Sequence, residues 1–274
     1  MTAFTGPLPE LSPERRGALR PLFADFGPRL HGLVEAVFSG DFGEAWSDEP
    51  ESPTVALAHI DFWLVGGDAA SPAAAEALRM VSRGTIVTDG SPAWDALVRA
   101  TLAGRFRERS RTGFATPPRA LQRLRLAYQA AALPNGFDIR RITAENLRAL
   151  LDVAREFASN WRSSEAFLEC GLGFGVFHGE RCVAGCSSFT LANDRLEIEI
   201  DTAPEYRRRG LARAVAATLI GHCLDSGIEP CWDAHNPESA ELATQLGFGD
   251  PHPYTVFVTA PAAVPAEVEV CSKP

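Results

Sequence analysis

The chain is nearly without lysine. Lys273 is the only one in 274 residues, so almost all of the 26 basic side chains are arginines. That bias reads as genome composition rather than chemistry. Positive charge is short in total as well, since 35 acidic residues leave a net charge of −9 at pH 7. This argues against binding to nucleic acid or an anionic membrane surface. It suits a cationic substrate, although acidity for solubility alone is common. Long apolar runs are missing too. No stretch approaches the ~20 apolar residues that cross a bilayer, and the start, MTAFTGPLPELSPERR, lacks a basic-then-apolar leader pattern. A cytoplasmic location is the expectation.

Several signatures are absent. There is no Cys-x-x-Cys and no His-x-x-x-His, and the six histidines are scattered, so no metal site is expected. Cys170, Cys182, Cys186, Cys223, Cys231 and Cys271 lie in or between apolar segments, as buried reduced thiols do. Cys182 and Cys186, four apart in a predicted strand, should share a face. No Gly-x-x-x-x-Gly-Lys-Ser/Thr exists, which excludes an ATP-binding P-loop, and no Gly-x-Ser-x-Gly elbow exists either. The Gly-Leu-Gly-Phe-Gly run at 171–175 precedes a strand, whereas a dinucleotide fingerprint follows one, so it reads as a flexible turn.

What is present is a globular composition, 46% hydrophobic and 22% charged, in a chain long enough for one large or two ordinary domains. Ser12-Pro13, Ser71-Pro72 and Ser91-Pro92 each read as a helix start. The spacing predicts helices over about 13–24, 28–39, 72–82 and 92–103, with strands at 43–46, 54–65 and 85–88 between them. An extended piece over 105–114 and a short helix near 121–128 lead to Leu133-Pro134-Asn135-Gly136, the predicted boundary. The expected division is a domain at 1–130, a second at 131–260 and a disordered tail at 261–274.

The second half reads in a clearer order. A strand at 137–142 precedes helices to about 151 and over 153–170, then strands at 173–178, 182–190 and 195–202. A helix over 209–226, a strand at 229–233, a helix over 236–247 and a strand at 254–258 complete it. The fold class predicted is α+β, with a mixed, mostly antiparallel sheet flanked by helices.

The organising stretch is 196–212, LEIEIDTAPEYRRRGLA. Leu196, Ile198 and Ile200 alternate with Glu197, Glu199 and Asp201, giving one apolar and one acidic face. Pro204 ends the strand. Arg207-Arg208-Arg209-Gly210-Leu211-Ala212 then opens a helix, whose unpaired first amides suit a phosphate. Gly210 lets that backbone approach a ligand closely.

These residues resemble the GNAT superfamily of acetyl-CoA-dependent N-acyltransferases. Its cofactor signature, Gln/Arg-x-x-Gly-x-Gly/Ala at a strand-to-helix turn, is matched in full by 207–212. The order of elements around it is similar over about 137–258, and so is the helix led by Asn236 and ending in Leu246-Gly247-Phe248. Trp232-Asp-Ala-His-Asn236 and the EIEIDT strand further resemble a bacterial GNAT group with an extra N-terminal domain. That group includes the zwittermicin A self-resistance acetyltransferase.

The resemblance implies a function. The amides of Arg207, Arg208, Arg209, Gly210, Leu211 and Ala212 would hold the CoA pyrophosphate. The pantetheine arm would pair with backbone near Ile200 and Thr202, and Asn236 would contact it. An amine of a small molecule or peptide would then attack the thioester directly in a ternary complex. A protonated amine needs a base. Glu197 and Glu199, ~7 Å apart on one strand face, are the candidates, as base or as amine-orienting group. Many family members place a tyrosine before Leu-Gly-Phe as the acid for the CoA thiolate; here that position is Ala243. Ser239, His235, Tyr254 or water would serve instead. The N-terminal domain would cover the substrate side, with Asp61 and Asp68 admitting a cationic amine. The other reading is a catalytically silent acyl-CoA-binding sensor or interaction module. Oligomeric state stays open, a homodimer included.

Overall fold

The computed structural model describes residues 6–115 and 119–259. The tail expected at 261–274 lies outside them. The chain opens with a 3₁₀ run, Pro13–Phe26, rather than the α-helix expected there. Pro21 sits inside it and has no amide to donate. Helix α1 (His31–Ser39) follows, then strands β1 (Glu44–Ser47), β2 (Val55–Ile60) and β3 (Phe62–Gly67). The single strand expected at 54–65 is thus a hairpin. Asp61, in the left-handed region at φ 57°, reverses the chain within one apolar run. Helix α2 (Pro72–Met80), strand β4 (Thr85–Val87) and helix α3 (Pro92–Thr101) come next. Ser71 and Ser91 cap α2 and α3 as the sequence predicts, accepting from Ala73 and Trp94 amides at 3.3 Å each. Ser12 makes no side-chain cap.

Strand β5 (Phe106–Ala115) and helix α4 (Arg119–Ala131) lead to β6 (Asp138–Arg141), α5 (Leu147–Leu151), a 3₁₀ turn at Arg155–Ala158 and α6 (Ser164–Cys170). The continuous helix expected over 153–170 is broken. Trp161 turns inward, its indole N–H donating to the Ser188 carbonyl at 2.9 Å, and Ser163 caps a new helix. Strands β7 (Gly173–His178), β8 (Arg181–Ala192) and β9 (Arg195–Thr202) lead to α7 (Leu211–Asp225). Then come β10 (Glu229–Cys231), β11 (Asp233–Ala234), α8 (Pro237–Leu246) and β12 (Gly249–Thr259).

Two mixed, mostly antiparallel sheets result. One runs β1-β2-β3-β4-β12-β5-β11 and the other β10-β9-β8-β7-β6. The strand expected at 229–233 is divided at Trp232, where the chain leaves the smaller sheet for the larger. β12 inserts between β4 and β5, pairing Val256 with Val87 and with Arg109. The larger sheet therefore draws strands from both sides of the boundary expected at residue 130.

Helix α7 buries Val215, Leu219 and Ile220 against Val176, Cys186 and Leu196 of the smaller sheet. Each such side chain stabilises the fold by about 2 kcal/mol. Four of the five described cysteines are buried thiols; Cys170 is exposed. Cys182 and Cys186 do not share a face. A bulge at Val183 shifts the register of β7 and β8, so Cys182 packs with Ile142 and Phe177 while Cys186 packs under α7.

Candidate active site

Strand β9 carries the site. Its apolar side chains pack toward α7, which leaves Glu197, Glu199 and Asp201 on the opposite face. Its ladder with β10 covers only Arg195 to Glu197. Beyond that point β9 is an open edge along a cleft of about 1210 Å³. The Ala203 amide donates to Val183 of β8 at 2.9 Å, so by alternation the Ile200 and Thr202 amides point away from β8. The Thr202 amide is met by Asp201 Oδ1 at 2.6 Å, and the Ile200 amide by the Glu199 carboxyl.

At one end of the cleft lies the arginine turn. Gly210, at φ 79°, is the residue before α7, and no side chain caps that helix. A Cβ on Gly210 would meet only Arg213 Nη2 at 3.6 Å, so conformation and not crowding demands the glycine. Leu211 and Ala212 therefore begin a helix whose first amides face the cleft at the positive end of its dipole. Arg208 is also left-handed, at φ 61°. Arg207 Nε anchors the turn on the Thr202 carbonyl at 2.9 Å, and the Arg209 guanidinium lies 5.2 Å from the Tyr206 ring centre.

Helix α8 forms the next wall. Asn236 caps it, its Oδ1 accepting from the Ser239 amide at 2.8 Å, while its side-chain amide meets His235 Nε2 at 2.8 Å. Ser239 Oγ accepts from the Trp232 indole at 3.1 Å and keeps its own O–H to donate. Ala243 is fully buried beneath the helix and offers no hydroxyl. Tyr254 lies outside the cleft lining. Its O–H donates to Asp233 Oδ2 at 2.7 Å, and burial pushes it well above the usual phenol range. His235 lines the cleft and is held below its ordinary value by burial first and then by Arg111.

The two glutamates are held differently. Glu197 is 4% exposed, and its Oε2 accepts from the Gly32 amide at 3.2 Å, so it caps the start of α1. A Cβ at Gly32 would stand 2.8 Å from that oxygen. Burial, then Asp233, push Glu197 to about 8. Glu199 is half-buried and pushed to about 7 by burial first, then by Glu156, Asp201 and Asp61.

The Glu197 shift has a consequence for stability. Its folded value lies above the ordinary 4.5. Its contribution is therefore full below that value and is lost as pH rises toward 8. Thermal melts from about pH 5 to about pH 8 should show Tm falling more steeply in the native chain than in Glu197→Gln. Parallel curves would refute a buried, charge-averse Glu197.

Some site residues give no sequence signal. Arg111 Nε donates to Asp233 Oδ1 at 2.6 Å and its guanidinium lies 4.9 Å from the Phe62 ring centre. Arg111, Asp233 and Glu156 line the cleft through pairings between distant strands and a broken helix, which no local pattern encodes. Asp61 lines it as expected. Asp68 does not, since its Oδ1 accepts from the Ala70 amide before α2.

The sequence profile of the GNAT acetyltransferases matches residues 21–257. The chain belongs to the GNAT acetyltransferase family. The family is one of acyltransferases and uses acetyl-CoA. The GNAT chain is 31% identical over 170 residues to an uncharacterized N-acetyltransferase, YdfB, of Bacillus subtilis. That match spans 61% of the chain and 63% of YdfB, less than two thirds of its length. A GCN5-related N-acetyltransferase-like protein from Streptococcus suis superposes with a TM-score of 0.79 at 27% identity, over 91% of this chain and all of that one. A GCN5-related N-acetyltransferase from Kribbella flavida shares the fold, with a TM-score of 0.59 at 14% identity over 87% and 96% of the two chains. The family match runs through residue 130 without a break. No helix among the described residues is long and apolar enough to cross a membrane.

Proposed function

We propose that the chain moves the acetyl group of acetyl-CoA to a primary amine of a small molecule or peptide in a ternary complex. One observation carries this reading. A single cleft joins the uncapped start of α7, the open edge of β9 and the half-buried Glu199.

The residues fit the donor. Amides from Arg207 to Ala212 would hold its pyrophosphate against the helix dipole. The Ile200 and Thr202 amides, aimed at the cleft and held here by the Glu199 and Asp201 carboxyls, would pair with the pantetheine arm and polarise the thioester carbonyl once those carboxyls turn away. The Asn236 side-chain amide lies beside that path. Glu199 takes a proton from the amine, directly or through water. The amine nitrogen bonds to the carbonyl carbon, the carbon–sulfur bond breaks, the thiolate takes a proton from water directly or relayed through the Ser239 hydroxyl, and Glu199 returns its proton to solvent. The products are an amide and free CoA thiol. Glu197 acts by placing α1 and β9, next to the base.

Residues 1–130 serve as a cover on the acceptor side in this reading, as in the bacterial group with an extra N-terminal domain. Leu30, Leu33, Asp61, Phe62 and Arg111 from that region line the cleft, which supports the role. Such an enzyme would work in the cytoplasm, beside its donor. The buried Ala243 favours the second reading, a silent acyl-CoA-binding module. Thiol release with acetyl-CoA over a panel of amines, alongside calorimetric titration of acetyl-CoA, separates the two. Release with transfer to at least one amine is expected. Tight binding without release on any amine would establish the silent module.

A further inference from the structure

The acceptor end of the cleft carries more negative charge than one amine needs. Asp61 comes from the β2–β3 turn, Glu156 from the 3₁₀ turn Arg155–Ala158, and Glu199 from β9. These three distant segments bring three carboxylates together, and each of the outer two raises Glu199 by its charge. Among the described residues none of the three has an ion-pair partner. Other turn aspartates in this chain have local work: Asp48, Asp68 and Asp89 each accept backbone amides. Among the described residues, Asp61 and Glu156 have no such hydrogen bond.

The nearby positive groups are already committed. Arg111 faces Asp61 but is paired with Asp233. Asp201 takes Arg207 at 3.4 Å. His59 also faces Asp61, but burial holds it below its ordinary value, so it is largely neutral at pH 7. The reacting nitrogen must be uncharged when it attacks, so it compensates neither outer carboxylate. The same cleft is also lined by the apolar side chains of Leu30, Leu33, Phe62 and Phe189.

We infer that the acceptor is at least dicationic, an aliphatic diamine or polyamine-like chain. One nitrogen reacts at Glu199 while a second ammonium sits between Asp61 and Glu156, the methylenes lying on Leu33 and Phe62. This rests on the amine-acetylation reading above. It goes further in fixing the charge and shape of the acceptor. An ion pair at a cleft mouth is screened by salt, so the preference is greatest at low ionic strength.

The test compares α,ω-diaminoalkanes from propane to octane with the monoamines of the same length, by thiol release at pH 7. At least one diamine should exceed its monoamine about tenfold or more in kcat/KM. Raising sodium chloride from about 0.02 M to about 0.5 M should shrink that ratio several-fold. The variant carrying Asp61→Asn and Glu156→Gln should bring the ratio to within about threefold of unity, with its fold checked by thermal melting. The same ratio measured on native protein across the salt series needs no variant at all. Equal rates for diamines and monoamines would overturn the dicationic acceptor and leave amine acetylation standing. Acetyl-CoA binding without release on any amine would overturn both.

Discussion

Glu199→Gln is expected to lower kcat at pH 7 by about a hundredfold to a thousandfold, the usual loss for a positioned general base. Glutamine keeps the shape of the side chain and its place on β9, so acetyl-CoA affinity should change little. The sign of the pH effect follows from the shift to about 7. Below that value Glu199 is protonated and accepts nothing; above it the base is available. The native kcat/KM should show a limb with its midpoint near 7, followed by the further rise that titration of the substrate amine supplies. In Glu199→Gln that limb should vanish, leaving only titration of the substrate amine. Glu156→Gln removes the first of the charges that raise Glu199, so it should move the midpoint down. A Glu199→Gln enzyme within threefold of native activity would remove Glu199 from the chemistry.

Arg111→Ala carries the largest expected loss of stability. Asp233 has a side chain only 2% exposed and Arg111 one of 16%. The aspartate also accepts from Tyr254, and its charge already pushes Glu197 up. Removing the guanidinium leaves a buried carboxylate with no cation, at a cost of about 3–5 kcal/mol. For a chain of this length that lowers Tm by roughly 10 °C. Replacing both partners by apolar residues, Arg111→Met with Asp233→Leu, should recover much of the loss, because no charge then has to be desolvated. Scanning fluorimetry on the two variants and the native chain gives the comparison. A drop of less than about 2 °C for Arg111→Ala would mean that water reaches the pair.

The parts of this molecule legible in the sequence are those with local causes. The strand of alternating Ile and Glu, the arginine turn with its left-handed Gly210 and the serine caps at Ser71 and Ser91 are all written within a few residues. Long apolar segments carry little local punctuation. The run over 54–65 hides a turn because Asp61 reverses the chain without a glycine or proline. The stretch over 153–170 breaks where Trp161 gains more from burial than a helix would return. The bulge at Val183, which parts Cys182 from Cys186, depends on the neighbouring strand. By spacing alone the two glutamates are equivalent. Their difference lies in Gly32, which is far away in the chain and is pressed against only one of them. Arg111 and Asp233 meet through strands from opposite ends of the chain, so no window of sequence contains both.

The position of β12 has a consequence for how the molecule comes into being. This strand is made after every other element described, yet it sits in the middle of the larger sheet, between β4 and β5. Until it emerges during synthesis, the growing chain holds two open edges with apolar residues around them, the arrangement most prone to pairing with a neighbour. Such late, distant closure folds slowly. A chain ended before β12 is thus no minimal enzyme but a trapped intermediate, and assembly of the acceptor side waits for the last strand.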